Sequence, residues 1–191
     1  MRKIKIFEHI SLDGVIEHED GYVYGAWTSP YRSPDGLAVV LEASGPSFDL
    51  LLGRHTYDLW SSYWPEAGNN PMANRLNAAT KYVATHRPQS LRWGPVKDVG
   101  PDIIEGIHRL KSTDGPDLIV WGSSTLTPVL LGAGLVDEVV RSFTRSCSVA
   151  ANASFRAVSM HANSLSSARR PRPPASSSTL IALLDRCENN F

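Results

Sequence analysis

The 191-residue sequence predicts an α/β fold: a mostly parallel central sheet flanked by helices. Three observations lead there. Short apolar runs of strand length alternate with longer stretches whose apolar positions recur every three or four residues. Two of the runs, Leu50-Leu51-Leu52 and Leu118-Ile119-Val120, are hydrophobic without alternation, as strands covered on both faces are. Finally, strand ends meet Gly53, Thr85 and Gly122 just before a turn or helix, where parallel sheets place their loops.

The elements follow in order. Lys3 to Ile6 alternates with period two, and Phe7 to Leu12 continues that strand up to the break at Asp13-Gly14. Residues 17–32 are acidic and aromatic and read as a loop able to cover a cleft. Ser33-Pro34-Asp35 starts a helix: an N-cap, a proline in the first turn and an acid at the positive dipole end. Leu37, Val40 and Leu41 give it an apolar face, and Gly45-Pro46 ends it. The leucine strand follows Asp49 and breaks at Gly53. Tyr57, Trp60 and Trp64 then share one face of a second helix.

A Gly/Asn/Pro-rich loop from Pro65 to Pro71 leads to a strand at Lys81–Thr85, closed by His86-Arg87-Pro88, with another at Val96–Val99. Pro101 opens a helix whose Ile103, Ile104, Ile107 and Leu110 face inward. Arg109 and Lys111 occupy its last turn, where cations are favoured. The strand Asp117–Trp121 stops at Gly122-Ser123-Ser124. A helix with Leu126, Val129 and Leu130 ends at Gly132-Ala133-Gly134, and Leu135 to Thr144 forms a last strand.

Composition narrows the function classes. No run approaches the ~20 apolar residues of a membrane span. The first six residues go directly into strand-like alternation without a signal-peptide core, so a cytoplasmic protein is expected. Cys147 and Cys187 are too few for a disulfide framework and lack metal-type spacing. The single G-x-G, at Gly132 and Gly134, follows a helix, so a Rossmann fingerprint is not supported. G-x-S-x-G, H-E-x-x-H and C-x-x-C do not occur, and the six histidines are scattered.

The chemistry concentrates at the strand ends. A strand that turns through Gly53 into a helix offers free N–H groups and a positive dipole end to an anion. Arg54 and Thr56 add a forked donor and a hydroxyl. Thr85 and Arg87 flank the next strand end, and Gly122-Ser123-Ser124 forms a third cradle suited to a pyrophosphate. In open α/β sheets ligands gather at the carboxyl ends of strands, so the three junctions together point to a nucleotide site.

Leu52-Gly53-Arg54-x-Thr56-Tyr57, Gly122-Ser123-x-x-Leu126 and Gly134-Leu135-Val136-Asp137-Glu138, in that order, resemble the dihydrofolate reductase superfamily. Ser11-Leu12-Asp13-Gly14 makes the closer match its riboflavin-biosynthesis branch, the C-terminal reductase domain of the bifunctional deaminase–reductase and its free-standing relatives. The match runs from Lys3 to about Thr144. It implies a dihydrofolate reductase-like fold and an NADPH-dependent oxidoreductase acting on a pyrimidine- or pterin-like substrate, such as a phosphoribosylamino-uracil.

On this resemblance Gly53, Arg54 and Thr56 hold cofactor phosphates, and Thr85 and Arg87 lie near the 2′-phosphate. Gly122, Ser123 and Ser124 wrap the pyrophosphate. Asp13 faces the substrate, binding an N–H or hydroxyl or supplying a proton; the alternative is a turn-forming role before Gly14. Trp27, Trp60, Tyr63 and Trp64 either line a flat substrate pocket or belong to the core. Homodimers are common in this family, although the sequence itself shows none. Neither a metal, a nucleic acid nor a membrane is expected as partner. The alternative is a catalytically silent nucleotide-binding protein of the same fold; a nucleic-acid-associated protein acting through a basic tail ranks below it.

Beyond Thr144 the resemblance stops. All fourteen glycines lie at or before Gly134. Residues 141–191 carry seven Arg and two acids, whereas residues 1–140 hold twelve Lys and Arg against seventeen acids. Residues 141–191 also hold eleven Ser, eight Ala and the run Arg169-Arg170-Pro171-Arg172-Pro173-Pro174, and residues 145–191 read as disordered by composition. Codons permitted by Thr144 to Arg156, read from the last base of the Thr codon, spell Pro-Val-Leu-Leu-Gly-Arg-Gly-Lys-Arg-Phe-Phe-Pro. This is the stretch the family carries after Val-Asp-Glu. The expectation is therefore an out-of-frame tail that costs the fold its closing strands and leaves the last strand as an edge.

Overall fold

The computed structural model describes residues 1–11, 14, 16 and 32–144. Six strands form one sheet in the order β4-β3-β2-β5-β1-β6, and every pair is parallel. The strands are β1 (Ile4–Ser11), β2 (Phe48–Gly53), β3 (Lys81–Ala84), β4 (Val96–Asp98), β5 (Asp117–Trp121) and β6 (Glu138–Thr144). The helices are α1 (Pro34–Ala43), α2 (Arg54–Tyr63), α3 (Pro71–Ala78), α4 (Ile103–Ser112) and α5 (Leu126–Gly132).

β2 and β5 are the central pair, as their unbroken leucine, isoleucine and valine runs require: Leu50, Leu51, Leu52, Leu118, Ile119 and Val120 are all inaccessible to solvent. Alternation along the strands sorts the core onto two faces. Leu50, Leu52 and Ile119 pack with Phe7, Tyr57, Trp60, Trp64, Leu76 and Trp121 on one side. Ile4, Ile6, Leu51, Leu118 and Val120 pack with Ile107, Leu126 and Leu130 on the other.

Helix starts follow local chemistry. The Ser33 hydroxyl accepts the Gly36 N–H at 3.0 Å, and the Asp102 carboxylate accepts the Glu105 N–H at 3.0 Å. The latter moves the start of α4 two residues past Pro101. Helix α3 is the element that the sequence reading passes over. Its signals are Asn70, whose side chain caps Ala73 N–H at 2.9 Å, and Pro71 in the first turn; Ala73 and Leu76 bury its inner face. α1 carries the expected apolar positions, but none of its residues is fully buried.

The amino end of the sheet is held by charge. Arg2 is buried, pairs with Asp49 at the start of β2 and lies 5.3 Å from the centre of the Tyr82 ring. Lys111 in the last turn of α4 pairs with Asp137 and donates to Leu135 O at 2.9 Å, while Asp137 accepts the Ile4 N–H at 2.8 Å. Lys81 is fully buried beneath Trp93, its amine held by the carbonyls of Asn77 and Gly94, and burial lowers its pKa to about 8. β6 pairs with β1 along its whole length and is the outermost strand on its side among the described residues. Leu12 and the tail after Thr144 lie outside those residues. No described helix is long and apolar enough to cross a membrane.

Candidate functional site

The carboxyl ends of β2, β3 and β5 open onto a cleft of about 410 Å³. It is lined by Gly53, Arg54, His55 and Asp58 from the β2–α2 junction, and by Ala84 and Arg87 beyond β3. Ile103 comes from α4, and Thr125, Leu126 and Val129 from the start of α5. The sheet order explains this convergence, since β2 lies between β3 and β5. Junctions that are distant in sequence therefore become neighbours.

The first and third junctions are tied directly. Ser123 Oγ accepts the Gly53 N–H at 2.9 Å, and Thr56 Oγ1 accepts the Ser123 N–H at 3.2 Å. Gly122 and Ser123 both adopt left-handed backbone, with φ of 59° at each. For a serine this conformation is costly and is kept only where neighbours enforce it, as the Thr56 and Gly53 bonds do here. Thr56 and Ser123 therefore clamp the rim, and the Ser123 side chain is buried. Ser124 is half-buried beside them.

Arg54 joins the first junction to the second. Its Nε lies 2.8 Å from both Asp58 carboxylate oxygens, an i,i+4 pair that raises the guanidinium pKa, chiefly through this hydrogen bond. Its Nη1 donates to Ser90 Oγ at 2.6 Å, Arg87 O at 3.1 Å and Thr85 Oγ1 at 3.3 Å. Thr85 also accepts the Arg87 N–H at 3.0 Å. Arg54 and Thr85 thus shape the turn that carries Arg87. Among the described residues, the Arg87 guanidinium has no partner, although its residue lines the cleft.

Tyr57 braces the same turn from below. Its buried hydroxyl accepts two backbone N–H groups, from Arg92 at 2.8 Å and Trp93 at 2.7 Å. Tyr57→Phe is expected to strand both donors and destabilise the protein by about 1–3 kcal/mol. Urea unfolding checks this, and an unchanged midpoint would remove Tyr57 from this role.

Of the junction residues expected from the sequence, Gly53, Arg54 and Arg87 line the cleft, Ser123 and Thr85 are hydrogen-bonded to Gly53 and Arg54, and Thr56 is bonded to Ser123; Gly122 and Ser124 flank Ser123 in the chain. Trp60 and Trp64 are buried in the core, edge-on to each other at 5.9 Å, while Tyr63 is exposed. Asp13 and Trp27 lie outside the described residues. His55, Asp58, Ser90, Ile103 and Val129 were not expected at the site. The i,i+4 spacing of Arg54 and Asp58 was the one sequence signal for any of them. Val129 holds a helical apolar position but faces the cleft, and it is 46% exposed.

The donors left over fit a polyanion. The first-turn N–H groups of α2 have no intrahelical acceptor, the dipole end is positive, and Arg87 lines the same cleft. Apolar walls at Ile103, Leu126 and Val129 suit a flat base.

Comparison with known proteins places the chain near one relative. Over 141 residues it is 26% identical to a Bacillus subtilis (strain 168) protein described as "Uncharacterized protein YyaP", covering 72% of this chain and 71% of that protein. No family model matches the chain.

Proposed function

We propose that this chain is an NADPH-dependent reductase of a small planar heterocycle, of the dihydrofolate reductase-like type that its motifs resemble. The observation that carries the reading is the convergence of three strand-end junctions on one cleft, with the Arg87 cation left available there. The α2 first turn and Arg87 would hold phosphates, and Ile103, Leu126 and Val129 would cover the adenine. Thr56 and Ser123 would keep Gly122 in the left-handed form that lets backbone approach the pyrophosphate. When bound, the cofactor supplies a hydride; the protein's work is to bind, orient and exclude water.

The test is quenching of tryptophan fluorescence. NADPH is expected to bind, and Arg87→Ala to weaken it roughly ten- to hundredfold, the worth of charge-assisted hydrogen bonds to a phosphate. NADH, without the 2′-phosphate, should respond little to the same change. A wild-type protein that ignores NADPH, or an Arg87→Ala protein that binds it as well, would end this reading.

A nucleotide-binding protein without turnover is the second reading, favoured by the position of β6. It is the outermost strand of the described sheet, and the sequence after it leaves the family pattern. NADPH oxidation, followed by absorbance with pyrimidine and pterin candidates, separates the two.

A further inference from the structure

β6 bounds the sheet among the described residues, and its outer side lacks the devices that keep sheet edges solitary. Such edges are very short, or carry proline, lysine or a bulge. The opposite edge strand, β4, obeys the rule with three residues. β6 has seven, Glu138–Thr144, with no Pro, Lys or Gly among them. Its register with β1 runs from Lys5 opposite Glu138 to Ser11 opposite Thr144 without a skipped residue, so no bulge turns it away. An unbroken strand of this length offers a row of backbone donors and acceptors to whatever lies alongside.

The side chains along this edge select the neighbour. Val139 shares a sheet face with Ile6, its partner in register, yet is 39% exposed; among the described residues no other strand leaves a large apolar side chain so open. Two acids, Asp137 and Glu138, stand at the amino end, and Arg141 follows three residues later, exposed. A parallel copy of the strand in register would set acid beside acid and Arg141 beside Arg141. An antiparallel copy brings the acidic end of each strand toward the basic part of the other. The chain's own continuation is a poor fit for that place. Residues 145–151 contain no Gly, Asn, Asp or Pro to turn a hairpin back along β6.

We infer that β6 is a homodimer interface, in which the β6 strands of two copies pair antiparallel about a two-fold axis at Val140 and join two six-stranded sheets into one. In this register Val140 meets Val140 of the second copy. Val139 stands opposite Arg141, and Glu138 opposite Ser142. Asp137 lies on the diagonal from Arg141 of the other copy, within reach of its long side chain, and no like charges stand directly opposite. The pairing consumes the edge that makes it, so assembly closes at two. The inference is independent of the reductase reading, because β6 contributes nothing to the lining of the cleft.

The test is sedimentation equilibrium of the full chain across the micromolar range under reducing conditions, with far-UV circular dichroism to establish that each variant is folded. Wild-type protein is expected to form a dimer in reversible exchange with monomer. Val139→Lys sets a lysine against Arg141 twice per dimer and should weaken association about tenfold or more. Val139→Glu loses the same apolar side chain but sets a carboxylate against Arg141, and should stay within about threefold of wild type. As a check that needs no substitution, the backbone amides of residues 138–142 in wild-type protein should exchange with deuterium faster as the protein is diluted. Monomer at every concentration, assembly that continues past the dimer, equal affinities in the two variants, or amide exchange that ignores dilution each overturns the assignment.

Discussion

Gly106→Ala is expected to cost about 3 kcal/mol or more, although the same exchange inside an ordinary helix gains close to 1 kcal/mol. Gly106 lies in α4 directly against the chain leaving β4. A Cβ there would sit 1.9 Å from Val99 O and 2.9 Å from Val99 C. Both are backbone atoms, so no side chain can swing aside, and the helix must lift from the sheet. The steric term exceeds the propensity term several-fold and decides the sign. Ile103, one turn earlier in α4, walls the cleft, so the lifted helix should weaken NADPH binding as well. Gly132 is the control: it ends α5 with nothing within 4 Å of its added Cβ, and Gly132→Ala should be neutral or slightly stabilising. Chemical unfolding of the pair checks this; equal midpoints would mean that α4 does not press on Val99 as described.

Asp49→Ala is expected to lose about 3–5 kcal/mol, the penalty for leaving a buried guanidinium without its counter-charge. The Arg2 side chain is 2% exposed, and Asp49 is its only carboxylate partner among the described residues. The same carboxylate accepts the Thr80 N–H at 3.1 Å, so the substitution also frees a backbone donor next to β3. Replacing both members, Arg2→Met with Asp49→Leu, should recover more than half of the loss, because two apolar side chains require no compensation. The pair sits at the amino end of the sheet, opposite the cleft. Where the variants remain folded, their NADPH affinity should match wild type. An Asp49→Ala protein within 1 kcal/mol of wild type would show the pair to be far less buried than its geometry indicates.

Much of the fold was readable in the chain because its signals are local. Unbroken leucine and isoleucine runs marked β2 and β5 as the strands covered on both faces. Ser33-Pro34 marked a helix start through a hydroxyl three residues from the N–H it accepts. Asn70-Pro71 carries the same kind of signal, and α3 was overlooked because glycine and asparagine before it dominate that stretch. The rim was legible as three separate junctions, each a strand end followed by glycine, a hydroxyl or arginine.

The sequence by itself determined which segments become strands and helices, and that their carboxyl ends carry hydroxyls and cations, since these depend on neighbours within a turn or two. Only the tertiary structure decided how those groups are spent. Gly53 and Ser123 are seventy residues apart, yet share a hydrogen bond because the sheet order sets β2 beside β5. That bond, with the Thr56 contact, turns two expected phosphate ligands into a clamp. Arg54 is held by Asp58 and Ser90, while the Arg87 guanidinium has no partner among the described residues. Trp60 and Trp64 went into the core. A side chain's partner is chosen by which strands lie side by side, and no local spacing encodes that choice.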